Sequence, residues 1–361
     1  MKSIVDAQEF SAALKKVIGV LKHSRIPELE QVKVDFTGNS CRLTATDFTG
    51  WLVTELPARG DTFSLIFANT RAVERACHYF SGELTVELNE GKNATASLSC
   101  EDRRGQFPLL DAGLYPALPD VAAQRSYTVN AASIYGRVKK VIYATRYTDQ
   151  RPELNGVRFE GTHIWCVDGA RMAVTSDDTL KVEGRFLLPG YVLGHLKVFG
   201  GSEITMEVGK RYVAFRDGTT TLLSDTIFTS DGLHVESILA NQGNQICVLD
   251  RKRFLEGVRY LESCSQGMKK PFVLCEDGTL YLESSGATFQ ATVMDPGQCP
   301  GVFSFDNRHM KDALGQFSDS DGVQLRVGQF PSPIVLFSEK TGSLALVLPV
   351  RMKNMTRQQA A

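Results

Sequence analysis

The sequence predicts an α+β fold made of three copies of one module, each with two helices laid on antiparallel sheets. Two observations carry this: a pair of helix patterns recurs at a fixed interval, and β-rich runs recur between and after them. A near-repeated phrase is the visible part. "IPELEQVKV" at 26–34 returns as "RPELNGVRF" at 151–159, with Pro-Glu-Leu, a two-residue gap, Val and another apolar residue.

The first helix of each copy comes from its cap and its stripe, since a cap residue fixes where a helix starts and apolar spacing fixes its buried face. Asp6, Asn130 and Asp250 are each followed four, eight and eleven positions later by apolar residues. The stripes are Phe10, Leu14 and Val17, then Ile134, Val138 and Val141, then Phe254, Val258 and Leu261. The second helix follows a short apolar run and keeps the spacing i, i+4, i+7. "SLIFANT" leads to Val73, Cys77 and Phe80, "RFLLPG" to Val192, Leu196 and Phe199, and "VFSFDNR" to Met310, Leu314 and Phe317. Both helices repeat at about 120 residues, close to the length of one domain.

Strands fill the remainder. "CRLTATDF", "THIWCVDG" and "TLYLESSG" occupy one matching place, and "ELTVELNEGKNATASLSC", "EITMEVGKRYVAFRDG" and "GVQLRVGQFPSPIVLF" another. Glu90-Gly91, Gly209 and Gly328 read as hairpin turns within the later runs. "QFPLLDAGLYPALPDVAAQ" and "ESILANQGNQ" read as linkers. The predicted modules are therefore 1–122, 123–243 and 244–361, the last ending in a strand and a short tail.

Composition narrows the function. The 361 residues carry 40 Lys plus Arg against 41 Asp plus Glu and 43% hydrophobic residues, which excludes disorder and a bulk polycation. "MKSIVDAQEF" lacks an apolar leader core, and no run approaches the roughly 18 apolar residues of a membrane span, so the chain reads as cytoplasmic. Eight cysteines without a C-x-x-C pair argue against a disulfide framework or structural zinc, and for buried reduced thiols. The six histidines show no metal-ligand spacing, and Walker A, Rossmann, G-x-S-x-G and H-E-x-x-H patterns are missing, so neither metal nor cofactor is expected. "SDSDG" at 318–322 lacks the other calcium-loop ligands and reads as a turn. Asp47 and Asp168 occupy matching places and keep an enzyme open as an alternative, although an Asp at a strand end is more often a turn residue.

Charge is patterned rather than abundant. Away from the stripe, the first helix carries one cation per copy, Lys15, Lys139 and Arg259. The second helix adds Arg71, Lys197 and Arg308, and Lys16, Arg75, Lys140, Lys252 and Lys311 lie near, alongside Glu9, Glu74, Glu256 and Asp312. An array of such modules would present a wall of helices with diffuse positive charge. Attraction of that kind to phosphates ignores base sequence and lets a duplex slide. No base-reading motif is present.

At this point the chain resembles, over its whole length, the bacterial DNA polymerase III β sliding clamp family. The residues are "LTATDF" (43–48), "QFPLL" (106–110), "RPELNGVRFE" (151–160), "CVDGARMA" (166–173) and "LVLPVRM" (346–352), in that order and at that spacing. The resemblance implies a head-to-tail homodimer of three modules per subunit, a six-module ring round double-stranded DNA that tethers the polymerase, with no catalysis. It implies DNA-facing loops at Lys22, His23 and Arg25 and at Arg146 and Arg151. It implies a groove for peptide tails of the polymerase III α subunit, the clamp loader and other factors bearing clamp-binding motifs. That groove is formed by Leu154, Val167, Gly169, Arg171, Met172, Ile238, Leu348, Pro349, Val350, Arg351 and Met352. Phe107 and Leu109 resemble dimer-interface residues, with mates near 289–294. The chain departs from the family's pattern at Gly190 and Tyr191, where basic residues usually follow the proline opening the second helix, at Ser237, where an Arg stands at the groove, and in the tail "KNMTRQQAA". A peptide-binding scaffold that does not encircle DNA is the other alternative.

Overall fold

A computed structural model describes residues 1–91, 93–146, 150–229, 233–239, 244–264, 272–276, 279–284, 287–296, 303–328 and 330–351. The order of elements repeats three times. The first third runs β1 (Lys2–Asp6), α1 (Ala7–Ile18), β2 (Lys33–Thr37), β3 (Ser40–Thr46), β4 (Gly50–Gly60), β5 (Thr62–Phe67), α2 (Thr70–Cys77), β6 (Glu83–Asn89), β7 (Thr95–Cys100) and β8 (Arg103–Leu110). The second runs β9 (Arg125–Asn130), α3 (Ala131–Val141), β10 (Gly156–Gly161), β11 (His163–Val167), β12 (Arg171–Ser176), β13 (Val182–Pro189), α4 (Gly190–Leu193), β14 (Glu203–Val208), β15 (Tyr212–Arg216) and β16 (Thr220–Asp225). A short α5 (Val235–Leu239) then leads to β17 (Asn244–Leu249), α6 (Arg251–Cys264), β18 (Phe272–Glu276), β19 (Thr279–Ser284), β20 (Ala287–Pro296), β21 (Phe303–Ser304), α7 (Asn307–Gly315), β22 (Val323–Val327), β23 (Ile334–Ser338) and β24 (Ser343–Val347).

The helices start where the caps place them. The Asp6 carboxylate accepts from the Gln8 and Glu9 N–H groups, Asn130 from Ser133 N–H, and Asp250 from Arg253 N–H. All nine first-helix stripe residues are buried, and so are all nine of the second helices, where α4 continues as a 3-10 turn over Gly194–Phe199. Full burial of each large apolar side chain stabilises by about 1.5–3 kcal/mol, so these stripes hold the helices on their sheets. The repeated phrase forms one local structure: Pro27–Glu30 and Pro152–Leu154 are both 3-10 turns opened by proline and leading into β2 and β10. Proline suits that first position because its missing N–H would have no helical partner there. The third counterpart, near Pro271, lies outside the described residues.

Contacts divide the chain into two compact units. The first comprises Met1–Tyr135 and Tyr191–Thr226, the second Gly136–Gly190 and Ile227–Ala361. These units cut across the predicted boundaries at 122/123 and 243/244, because strand pairing joins parts of neighbouring thirds. In the first unit a 12-stranded sheet continues from β4 into β16, with Gly50 opposite Ser224 and Thr54 opposite Thr220. In the second, another 12-stranded sheet continues from β12 into β24, with Arg171 opposite Val347 and Val174 opposite Leu344. β4 and β12 are counterparts in the repeat, as are β16 and β24, so the two junctions are the same joint made twice.

Three sequence readings change. Gln106–Leu110, read as linker, belongs to β8, where pairing passes from β7 to β5 and the missing N–H of Pro108 is tolerated. Glu236–Leu239, also read as linker, belongs to the short helix α5. Among the described residues five cysteines are buried free thiols, whereas Cys264 is exposed at the end of α6. Among the described residues no helix is long and apolar enough to cross a membrane.

Candidate functional site

Two surfaces were predicted, one facing a duplex and one receiving peptide tails. In the first unit Lys15, Arg71, Arg75 and Lys197 are exposed. Lys16 is half-buried and donates to the Thr220 hydroxyl at 3.0 Å. In the second unit Lys139, Lys140, Arg259 and Arg308 are exposed. Arg308 pairs with its own helix cap, Asp306, at 3.2 Å, so its charge is partly spent on α7. Lys15, Lys139 and Arg259 have no ion pair among the described residues.

The predicted loop cations behave differently. Lys22 Nζ lies 2.6 Å from Asp47 Oδ2 and 3.0 Å from the centre of the Tyr191 ring. Asp47 is itself fixed: its Oδ1 accepts from the N–H groups of Thr49 and Gly50. Burial alone would raise its pKa, but the Lys22 ammonium, the Gly50 N–H and the Tyr191 hydroxyl outweigh that and hold the carboxyl below its usual range. His23 Nδ1 is 2.6 Å from Glu30, and Arg25 is exposed. Arg146 turns toward the other surface, its N–H donating to Leu154 O at 2.8 Å and its Nε to Asp168 O at 3.0 Å. The Arg151 guanidinium lies where a Cβ on Gly169 would be 3.5 Å away. Both arginines, predicted on a DNA-facing loop, therefore stand beside predicted groove residues. Arg151 caps the turn opened by Pro152, and the Arg146 N–H is tied to the end of that turn at Leu154.

The groove is organised by the Asp168 turn between β11 and β12. Asp168 Oδ1 accepts from the Ala170 and Arg171 N–H groups, and Oδ2 pairs with Arg171 Nε at 2.8 Å. Gly169 takes φ +87°, a left-handed conformation that glycine adopts without steric cost. Arg171 also bonds Asp312 on α7, and its guanidinium stacks 5.4 Å over the Tyr143 ring. Burial pushes the Tyr143 phenol up, so it stays a neutral donor and bonds Gln316 at 3.1 Å. Gln316, almost fully buried, donates in turn to Val174 O on β12 and Leu344 O on β24. This network ties both strands and α7 beneath the turn.

Above it lies an apolar cluster of Trp165, Met172, Val174, Val235, Val335 and Leu344, with Val167, Ile238 and Leu346 packed against it. Leu154 is buried and sits next to Gly169. The chain then leaves β24 along this site: Leu348 N–H donates to Ala170 O at 2.9 Å and Val350 N–H to Ser304 O at 2.8 Å. Leu348 is 46% exposed, an apolar side chain open to solvent at the rim. Pro349 and Val350 are half-buried and Arg351 is exposed. Met352 lies outside the described residues. The structure thus brings ten of the eleven predicted residues into one unit. Sequence reasoning missed Trp165, Gln316 and Asp312. A signal for Trp165 existed, since "HIWCV" is apolar at successive positions and so must be covered on both faces.

Phe107 is half-buried and meets Phe67 edge-on at 6.1 Å, while Leu109 pairs opposite Phe67. Asp47 and Asp168 both serve as turn acceptors and ion-pair partners of Lys22 and Arg171. No group of His, Cys, Asp or Glu among the described residues could hold a metal ion.

No protein-family model matches the chain. A curated relative, the beta sliding clamp of Synechocystis sp., is 22% identical over 318 residues, covering 76% of this chain and 78% of its own. The DNA polymerase III subunit beta of Pseudomonas aeruginosa has a similar structure, with TM-score 0.85, 18% identity and 97% and 100% of the two chains covered. A putative DNA polymerase III beta subunit from Eubacterium rectale gives 0.88, 16%, 98% and 100%, and the sliding clamp of Bacillus subtilis 0.86, 15%, 98% and 100%.

Proposed function

We propose that this chain, whose fold is that of the bacterial DNA polymerase III β subunits, is a DNA sliding clamp: two copies close head to tail round a duplex and tether a polymerase to it. The observation that carries the reading is the joint made twice and left unmade once. β4 pairs with β16 and β12 with β24, while the third counterparts, β20 and β8, each keep one edge with no strand partner among the described residues, along 287–292 and 103–108. An exposed strand edge is a template for another chain. Pairing β20 of one copy with β8 of the next satisfies both edges, and doing so reciprocally closes a two-copy ring. Phe107 lies on that strand and Leu109 just past its open edge.

In this reading the repeats bounded at 1–122, 123–243 and 244–361 are clamp modules. Lys15, Arg71, Arg75, Lys139, Lys140, Lys197 and Arg259 supply the diffuse field for the duplex. The groove around Gly169, Arg171, Met172, Ile238 and Leu348 takes peptide tails of the polymerase III α subunit, the clamp loader and other partners. The chain acts in the cytoplasm, without catalysis of its own, since its two matched carboxylates are occupied as turn acceptors. Sedimentation equilibrium should give twice the mass of one chain, and a double substitution of Phe107 and Leu109 by Asp should give one mass. A wild-type chain that stays monomeric at all concentrations would leave only the scaffold alternative.

A further inference from the structure

Resting on the clamp reading, we propose that Asp47 is a built-in brake on DNA contact: it holds the Lys22 ammonium against Tyr191 and removes one cation from those the loop after α1 can offer to phosphates. The restraint comes from three directions. Lys22 Nζ meets Asp47 Oδ2 at 2.6 Å, and the Tyr191 ring lies 3.0 Å beneath it. Asp47 cannot follow Lys22 outward, because its other oxygen is anchored by the Thr49 and Gly50 N–H groups. Gly50 is in turn seated against α4, where an added Cβ would stand 3.0 Å from Val192. The carboxylate is thus a fixed feature of the fold, only 11% exposed, whereas the Lys22 side chain is 47% exposed and within reach of solvent.

The rest of the loop does not restore the lost charge. His23 faces Glu30 at 2.6 Å, Glu30 also accepts from Ser24 N–H, and Arg25 alone is exposed without an ion pair among the described residues. A cation already facing a carboxylate and the negative face of an aromatic ring gains little from a phosphate.

The salt dependence of binding to a short end-labelled duplex separates a free cation from a restrained one, because each phosphate neutralised adds about 0.9 to the slope of log affinity against log salt. Lys22→Met should leave the slope as in wild type. Asp47→Asn keeps an oxygen for the two backbone N–H groups and loses only the charge, so it should steepen the slope by about 0.9 per chain, about 1.8 for the two-copy ring, and tighten binding at low salt. The double variant should return to the wild-type slope. A slope that falls with Lys22→Met, or one unmoved by Asp47→Asn in a protein of unchanged melting temperature, overturns the brake and leaves the clamp standing. Duplex binding by wild type with no salt dependence overturns both.

Discussion

Replacing Lys15, Lys139 and Arg259 together by glutamate should strongly weaken direct contact with duplex DNA, and so impair loading or sliding, while the chain stays folded. The three side chains are exposed on helices whose opposite faces carry the buried stripes, so none contributes to the core. Surface changes of this kind usually stay within about 0.5 kcal/mol each, and the melting transition should barely move. Each lost cation takes about 0.9 from the salt slope, so removing three per chain, six per two-copy ring, should flatten it by roughly 5, and reversal adds repulsion. The check is duplex binding across a salt series beside a thermal melt. A slope equal to wild type would mean that these helix faces do not see the phosphates.

The second large effect concerns the groove. Arg171→Ala leaves Asp168 nearly buried with one oxygen unpaired, and breaking a buried pair from one side costs about 3–5 kcal/mol. The Arg171 side chain keeps 15% of its surface exposed, which places the expected loss near the lower end, about 3 kcal/mol by urea unfolding. Asp312→Asn should cost less than about 1 kcal/mol, because Asp312 is 46% exposed and Arg171 keeps Asp168. Arg171→Ala should also lose capture of a polymerase tail peptide. Equal costs for the two variants would show that the pairing with Asp168 is not what sets the turn.

Helices and their faces were legible in the sequence because the signals are local: a cap, then apolar residues at fixed steps, repeated three times. The Pro-Glu-Leu phrase was legible for the same reason, since a proline-opened turn is encoded in four residues. What stayed hidden depends on residues far apart. Lys22 meets Asp47 and Tyr191, which come from different thirds, and no local pattern announces an ion pair between them. Gln316 reaches two carbonyls on strands from two thirds, and nothing around "LGQFS" marks it as more than a helix end. Arg146 and Arg151 were assigned by loop position, and no local pattern announces that Arg146 Nε meets Asp168 O or that the Arg151 guanidinium lies beside Gly169. The two compact units are not announced in the sequence, because sheet continuity, unlike helix periodicity, leaves no spacing there: β12 pairs with β24 across some 170 residues. The groove residues Leu154, Gly169, Arg171 and Met172 were readable only through family resemblance.

Retention on circular DNA tests the central claim most directly. Protein loaded onto a nicked circle and passed through a sizing column in high salt should stay with the DNA, and should leave it when the same circle is cut once to a linear form. Equal loss from both forms, or equal retention on both, would mean that contact rather than encirclement holds the chain, and would contradict the account.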